Sequence, residues 1–237
     1  GGVRERQEPF NRVRKRIAEN LSRSAREIPQ VTAHTEVDMT RIAVWREANK
    51  EAFESEHDVR LTYTPFFALG IIAAVREREH ARFNAALEKD VLTVKRYVNL
   101  GIAVDTPEGL VVPVLHGADG LSFAGLVRGI DDLAARARGG GLTPDEVQGA
   151  TITLTNTGST GTLLANPLLP PPAVAIAGTG AIVRRVVVLT DNTTAVQPIM
   201  ILSLTFDHRA NDGLAAGRFS GAIRAALERM DLSRLED

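Results

Sequence analysis

The chain has 237 residues, of which 44% are hydrophobic and 24% charged, as in an ordinary globular protein. Its formal net charge of −1 gives no electrostatic reason to expect a nucleic acid or an anionic membrane as partner, and no charge-free apolar stretch of about 18 residues suggests a transmembrane helix. The absence of cysteine excludes a disulfide framework, a thiolate metal site and a cysteine nucleophile, and is compatible with a reducing, intracellular setting.

Residues 1–10 are interpreted as a linker or tag remnant, and residues 11–237 as one domain, because no linker interrupts them. Apolar residues recur at helical spacing in some segments and alternate in others. Helices are predicted over 11–27, 40–56, 66–79, 122–138 and 213–230, with a short one after the capping-box pattern at 143–146. Strands are predicted over 30–39, 91–94, 98–104, 110–115, 150–156, 173–178, 182–189 and 199–206. Hairpin-like and crossover-like connections alternate, which predicts a two-layer α+β sandwich of the α/β class, with a mixed β-sheet and helices mainly on one face.

His208 lies in the segment Phe206-Asp207-His208-Arg209-Ala210-Asn211-Asp212-Gly213, between a predicted strand and a predicted helix. A strand end holds a side chain on a rigid scaffold, where catalytic bases tend to lie. The pattern His-x-x-x-Asp-Gly therefore predicts proton abstraction by His208, with Asp212 holding the local backbone and starting the helix. Taken alone, the pattern fits a structural histidine and a plain helix-capping aspartate equally well.

A second candidate segment contains three threonines, Thr151, Thr153 and Thr155, which alternate with apolar residues and so share one face of a strand. A plain polar sheet face explains Thr151 and Thr153. Thr155 precedes the turn at 156–158, where its hydroxyl could point at a reacting carbonyl.

The remaining histidines carry weaker signals. His57 and His80 lie in charged helix ends and are predicted to be solvated, whereas a structural role is favoured for His34 and His116. No pair of histidines has metal-ligand spacing, so no metal site is predicted. The glycines at 158–161 and 178–180 fit neither a phosphate-binding loop nor a dinucleotide fingerprint.

Taken together, the motifs resemble the catalytic (core) domain of the dihydrolipoamide acyltransferases, the acyltransferase components of 2-oxo acid dehydrogenase complexes. That family shares its fold with chloramphenicol acetyltransferase. The resemblance covers nearly the whole chain and rests on blocks in the family's order, at 28–30, 36–40, 83–85, 98–107, 109–114, 153–156, 171–176 and 206–209.

The resemblance implies that His208 takes a proton from coenzyme A, whose thiolate attacks the thioester of S-acyl dihydrolipoamide. Thr155 matches the family's serine or threonine that donates to the oxyanion, and Asp212 completes the catalytic set. Asn84 and Arg209 are expected to bind substrate. Coenzyme A is expected as a substrate, with the lipoyl group carried on a separate domain, since no Asp-Lys-Ala lipoylation site exists in this sequence.

The resemblance also implies partners. A homotrimer with the active site between subunits is expected, working with a lipoyl domain, a decarboxylase and a dihydrolipoamide dehydrogenase in the bacterial cytoplasm or the mitochondrial matrix. Whether the trimers assemble into a 24-subunit cubic core is left open, because the C-terminal residues 232–237 are less apolar than the tails that join trimers. Ala210 and Asn211 replace what is usually an aliphatic pair in the family. The sequence therefore does not show how the loop that carries His208 is packed.

Two other functions stay open at this stage. One is a free-standing acyltransferase acting on a small hydroxyl compound, and the other is an inactive core subunit that only anchors partner enzymes. His208, Asp212 and Thr155 occurring together argue against the inactive subunit. The acyl group cannot be read from the sequence, and acetyl is favoured only weakly over succinyl or branched-chain groups.

Overall fold

The structure is a computed structural model that describes residues 5–235. Its helices are α1 (Arg12–Glu27), α2 (Thr40–His57), α3 (Thr64–Arg76), α4 (Phe123–Gly139) and α5 (Gly213–Glu228). Its strands are β1 (Gln30–Asp38), β2 (Ala85–Glu88), β3 (Val91–Val94), β4 (Leu100–Ile102), β5 (Val104–Thr106), β6 (Gly109–Val111), β7 (Val114–Leu115), β8 (Ile152–Asn156), β9 (Ala175–Thr179), β10 (Val183–Val188) and β11 (Thr194–Asp207). Residues 1–4 of the predicted N-terminal tether lie outside the described residues.

A seven-stranded mixed sheet organises the chain, in the order β1-β11-β9-β8-β4-β7, with β10 also pairing with β11. β11 runs antiparallel to β1, β9 and β10, whereas β8 runs parallel to both β9 and β4. Two separate antiparallel pairs, β2–β3 and β5–β6, lie beside this sheet. The predicted mixed sheet is confirmed.

One face of the sheet carries the main core. Alternate residues of the central strands, such as Met200, Leu202 and Leu204 in β11, are at most 1% exposed and pack with apolar side chains of α2, α3, α4 and α5. α1 lies apart from this cluster and contacts the opposite side, where Ile28 packs with Leu169 and Ile176. The helices therefore cover mainly one face, as expected.

The opposite face of the sheet is polar where β1 and β11 meet. The hydroxyls of Thr32 and Thr205 lie 2.8 Å apart, and Nδ1 of His34 lies 3.0 Å from the hydroxyl of Ser203. Ser203 also accepts from the backbone N–H of Ala165, in the irregular segment after β8. Hydrogen bonding within this face compensates the burial of its polar groups.

Several predicted elements differ from the structure at positions where strands change partner. The predicted strand over 98–104 divides into β4 and β5, and the one over 110–115 divides at Pro113, which cannot donate to a ladder. The helix predicted over 66–79 ends at Arg76, and a separate 3₁₀ turn, Arg78–Phe83, follows after Glu77, whose backbone is extended. β2 was not predicted, because its four residues show no clear alternation.

None of the helices described over residues 5–235 is long and apolar enough to cross a membrane.

The capping box predicted at 143–146 is present, and it is tied to α4 by a charged cluster. Thr143 and Glu146 bond reciprocally at the start of a 3₁₀ turn, Pro144–Val147. Arg136 donates to both carboxylate oxygens of Glu146 at 2.6 Å and to Asp132. The hydrogen bonds from Arg136, followed by those from Thr143, lower the pKa of Glu146 to about 2.

Replacing Glu146 with glutamine should lower the melting temperature at pH 7 slightly, on the order of 2 °C. The pKa of Glu146 is depressed in the folded chain. The ionised carboxylate therefore stabilises the fold fully above its ordinary pKa of 4.5, and this stabilisation is lost as the pH falls towards about 2. Thermal melts from pH 7 to pH 3 should show the difference between variant and wild type shrinking below pH 4.5. Asp132→Asn is the matched control, since Asp132 bonds Arg136 but not Thr143. A melting-temperature difference between variant and wild type that does not change with pH would show that the ionised carboxylate of Glu146 does not stabilise the fold.

Candidate active site

His208 follows the last residue of β11, the longest strand of the described chain, at the point where the backbone turns towards α5. Its side chain is exposed, and its ring lies 5.5 Å from the ring of Phe206, which is fully buried. The imidazole makes no hydrogen bond to any described residue, so both ring nitrogens are free to meet a substrate. The strand-end position predicted for His208 is confirmed.

The turn that carries His208 is closed by its own backbone and by Asp207. The N–H groups of Ala210 and Asn211 donate to the carbonyl of Asp207, and the N–H of His208 donates to the carbonyl of Pro29 at 2.9 Å. The carboxylate of Asp207, 1% exposed, accepts from the backbone N–H of Arg209 at 2.9 Å. These bonds fix the backbone on both sides of the exposed imidazole.

Asp212 caps α5, as expected from the sequence. Its Oδ1 accepts from the backbone N–H of Ala215 at 2.9 Å, and its backbone is extended, as is usual at a helix N-cap. The helix start therefore follows the turn that carries His208 directly. Within the described chain Asp212 makes no hydrogen bond to His208, so it affects the imidazole only through the backbone.

Arg209 and Asn84, the two predicted substrate contacts, both lie near this turn. The guanidinium of Arg209 donates from Nη2 and Nε to the carboxylate of Asp207, the shortest distance being 2.7 Å, and this bond raises the pKa of Arg209. Asn84 is 3% exposed, and its amide donates to the carbonyls of Lys95 and Tyr97. Its Oδ1 has no partner among the described residues. Both side chains thus have structural roles, and their contact with substrate stays a prediction.

Thr155 lies near the end of β8, on the polar side of the sheet, and is half-buried. Its hydroxyl has no hydrogen bond to the residues that the structure describes, so it is free to donate. The turn that follows is pinned by Asn156, which accepts from the N–H of Gly158 at 3.0 Å and donates to the hydroxyl of Thr64. Thr151 and Thr153, by contrast, are buried, and Thr151 bonds the backbone of Asn99.

Close backbone contact explains the glycines after Thr155, for which no function was predicted. A Cβ on Gly158 would overlap the carbonyl of Gly180, and a Cβ on Gly180 would overlap the carbonyl of Leu163. Glycine is needed at both positions because the two loops touch through their backbones. The glycines therefore allow the close backbone packing that holds the turn after Thr155 in place.

A cleft of about 700 Å³ opens beside Thr155. This volume lies within the usual range for small-molecule sites. Its wall combines apolar residues of α4 with polar residues of the β8 turn, and two arginines, Arg60 and Arg138, line it. The cleft therefore offers a small molecule access to the Thr155 hydroxyl.

Within one chain, His208 and Thr155 lie far apart. Thr155 pairs with Gly178 of β9, which pairs with Ser203 of β11, and His208 follows Ser203 by five residues. At about 3.3 Å per residue along a strand and about 4.8 Å between strands, the two residues are separated by roughly 19 Å. The chain therefore does not bring its own histidine and threonine together.

The other histidines follow the predictions only in part. His80 is 3% exposed, its ring lies 5.5 Å from that of Phe219, and its Nε2 is 3.7 Å from a carboxylate oxygen of Glu77 and of Glu79, so the prediction that it is solvated was wrong. His57 is half-buried against Phe53. The pattern that predicted a helix over 66–79 could not show that the helix ends at Arg76 and that the next turn folds back onto α5.

The structural roles favoured for the two remaining histidines agree with their contacts. Nδ1 of His34 lies 3.0 Å from the Ser203 hydroxyl, and Nε2 of His116 lies 3.1 Å from the carbonyl of Asp145.

The family model for the catalytic domain of 2-oxoacid dehydrogenases acyltransferase matches residues 3–235. The chain belongs to this family. Dihydrolipoyllysine-residue acetyltransferase of the pyruvate dehydrogenase complex of Mycobacterium tuberculosis is 44% identical over 224 residues, which are 92% of this chain and 40% of that protein. The chain thus spans less than half the length of this relative.

Members with other acyl groups are also similar. The lipoamide acyltransferase of the branched-chain complex of Bacillus subtilis is 37% identical over 94% of this chain and 52% of that protein. The succinyltransferase of the 2-oxoglutarate dehydrogenase complex of Haemophilus influenzae is 37% identical over 94% of this chain and 54% of its own length.

Solved structures give the same family. A probable dihydrolipoamide acetyltransferase from Listeria monocytogenes superposes with a TM-score of 0.92 at 36% identity and covers 96% of both chains. Dihydrolipoamide acetyltransferase of Azotobacter vinelandii, studied for the roles of a serine, a histidine and an asparagine in its catalytic mechanism, superposes with a TM-score of 0.91 at 32% identity over 98% of this chain and 94% of that one. In that enzyme the serine precedes the histidine by 52 positions, and the asparagine follows it by four. Chloramphenicol acetyltransferase, at 12% identity and a TM-score of 0.57 over 88% of this chain and 94% of that one, shares the fold.

Proposed function

We propose that this chain transfers an acyl group between the thiol of dihydrolipoamide, carried on a lipoyl domain, and the thiol of coenzyme A, as the core of a 2-oxo acid dehydrogenase complex. The observation that carries the proposal is a free, exposed imidazole at the end of β11 in a member of this family. Thr155 precedes His208 by 53 positions and Asp212 follows it by four, close to the spacing of the serine, histidine and asparagine studied in the Azotobacter enzyme.

The chemistry asked of His208 is general-base catalysis. A free thiol has a pKa of about 8.5 and an unperturbed imidazole about 6.5, so direct proton transfer from thiol to imidazole is uphill by roughly 2.7 kcal/mol. This cost is small enough for general-base catalysis by a positioned imidazole. His208 takes the proton from coenzyme A, and the thiolate attacks the thioester carbonyl. When the tetrahedral intermediate collapses, His208 returns the proton to the departing dihydrolipoyl sulfur. The reverse direction uses the same steps.

Thr155 supplies the hydrogen bond to the oxyanion of that intermediate. A hydroxyl without another partner costs little reorganisation when the negative charge develops, which is the condition for effective stabilisation. Asp212 starts α5 immediately after the turn and so contributes to holding His208. In this arrangement a substrate enters beside Thr155 through the cleft.

The roughly 19 Å between Thr155 and His208 in one chain supports a site made by two chains. A closed ring of three identical subunits gives three equivalent sites, each with the histidine of one chain and the threonine of its neighbour. We therefore propose a homotrimer, and a 24-subunit cubic core as a further assembly. The lipoyl domain, the decarboxylase and dihydrolipoamide dehydrogenase are the proposed partners, in the bacterial cytoplasm rather than the mitochondrial matrix.

The acyl group is proposed to be acetyl, because a relative that transfers acetyl is more similar in sequence than the branched-chain and succinyl relatives, at 44% against 37%. With dihydrolipoamide as acceptor, acetyl-coenzyme A should turn over at least tenfold faster, in kcat/KM, than succinyl- or isobutyryl-coenzyme A, since differences of one or two carbons in a pocket are worth about 1–3 kcal/mol. Turnover with the three donors measures this directly.

The same assay tests the function itself. Faster transfer of succinyl or isobutyryl would overturn the acetyl assignment and keep the acyltransferase. Acylation of a small alcohol without transfer to dihydrolipoamide would instead favour the free-standing enzyme. No transfer to any acceptor by the assembled protein would favour an inactive core subunit.

A further inference from the structure

Arg82 makes a direct contact with the turn that carries His208. Its Nη2 and Nε both donate to the carbonyl of Ala210, at 2.7 and 3.3 Å, and the amide of Asn211 points back at the carbonyl of Arg82 at 3.5 Å. We refer to these contacts between Arg82, Ala210 and Asn211 as the Arg82 clasp. It joins the 3₁₀ turn Arg78–Phe83 to the segment between β11 and α5.

Two other supports of the turn act before Ala210, whereas the N–H groups of Ala210 and Asn211 bond within the turn, to the carbonyl of Asp207. The backbone of His208 bonds Pro29, and Asp207 holds the backbone of Arg209. The part between Ala210 and Asp212 lacks large apolar side chains that would lock it by packing. Ala210 is 4% exposed and contributes only a methyl group, next to Ala85 and Val174. Apart from the N–H groups of α5 that Asp212 accepts, the side chain of Arg82 is the hydrogen-bond donor that reaches this half of the turn from another element, among residues 5–235.

We propose that Arg82 is a positioning residue for His208, an inference that rests on the proposed function of His208 as base. The guanidinium presents two N–H groups in a fixed planar fork, and both converge on one carbonyl oxygen, two residues after the histidine. This fixes the Ala210 peptide and, through it, the direction in which the His208 side chain leaves the backbone. Arg82 touches no reacting group itself.

Small displacements of a base matter greatly for catalysis. A shift of about 1 Å in a catalytic group can cost a hundredfold in rate. Since the clasp is one of several supports of the turn, its loss should displace His208 only partly. We therefore expect a decrease in kcat smaller than that caused by removing His208.

The test compares Arg82→Ala with Arg78→Ala in the assembled protein. Arg78 lies in the same 3₁₀ turn, is exposed, and makes no hydrogen bond to the described residues. With acetyl-coenzyme A and dihydrolipoamide, Arg82→Ala should lower kcat about tenfold and leave both KM values within about twofold, whereas Arg78→Ala should match wild type. Arg82→Lys should recover part of the loss, because an ammonium reaches one carbonyl with a single donor.

Two readouts separate positioning from mere stabilisation. Guanidinium chloride at low millimolar concentration should raise the kcat of Arg82→Ala severalfold and leave wild type and Arg78→Ala unchanged. Hydrogen exchange followed by mass spectrometry should show faster exchange in the peptide covering 208–212 for Arg82→Ala, at an unchanged melting temperature.

The outcomes are distinguishable from a failure of the proposed function. If wild type transfers acetyl and His208→Ala does not, a kcat of Arg82→Ala equal to that of Arg78→Ala overturns the inference alone. A loss of kcat that is matched by a fall in melting temperature and is not rescued by guanidinium also overturns it. If wild type shows no transfer, the proposed function fails. Unchanged hydrogen exchange at 208–212 in Arg82→Ala would then still show that Arg82 does not hold the turn.

Discussion

Replacing His208 with alanine should reduce kcat for acyl transfer from acetyl-coenzyme A to dihydrolipoamide at least a hundredfold. A positioned general base contributes typically 10²–10⁴-fold, and the neighbouring Arg209 cannot replace it, since its guanidinium is held as a cation by Asp207. Because His208 is exposed and free of hydrogen bonds within the described chain, the variant should fold as wild type does. Steady-state rates, with melting temperature measured beside them, check both expectations.

His116→Ala is the matched control for this experiment. His116 is exposed, as His208 is, and its side chain bonds only the carbonyl of Asp145 within the described chain. Its variant should retain the wild-type rate. Equal rates for His208→Ala and wild type would remove His208 as the base and leave the proposed mechanism without a proton acceptor.

Replacing Thr155 with valine should reduce kcat by about 10²–10³-fold, the usual effect of deleting one oxyanion donor, or about 2.7–4 kcal/mol. Valine keeps the shape of threonine beside Gly178 and removes only the hydroxyl. Thr155→Ser keeps the donor and should retain most of the activity. KM should change little in both variants, because the lost bond forms mainly in the transition state. A valine variant as fast as the serine variant would exclude the hydroxyl from the reaction.

The two variants together test where the site lies. If each site takes its histidine from one chain and its threonine from a neighbour, trimers assembled from equal amounts of His208→Ala and Thr155→Val chains should contain about a quarter of intact sites. Mixed chains should be unfolded and refolded together, and their rate compared with that of each variant refolded alone. No recovery in verified mixed trimers would show that the two residues act within one chain or not together.

Local features of the fold were predictable from the sequence, because their causes lie within a few residues. Ser122 and Asp212 cap α4 and α5 as their residue types indicate, and the capping box at 143–146 forms as its pattern requires. The alternation in β8 likewise places Ile152 and Leu154 in the core. His208 at the end of β11 belongs to this group, since strand, histidine and helix cap are contiguous.

Features that depend on distant contacts could not be predicted. Arg82 was not singled out because its partner, Ala210, is 128 positions away in the sequence. The burial of His80 depends on Phe219, on another helix. The sequence left the packing of the His208 turn uncertain because Ala210 and Asn211 are small and polar. The structure shows hydrogen bonds to Arg82 where an aliphatic pair would pack.

The sheet places Thr155 and His208 towards its opposite ends, which affects a chain before it assembles. Under the proposed mechanism, a newly synthesised chain that has not yet met its neighbours carries a base without an oxyanion donor beside it. Such a chain should transfer acyl groups at least a hundredfold more slowly, so efficient turnover of acyl-coenzyme A begins only after assembly.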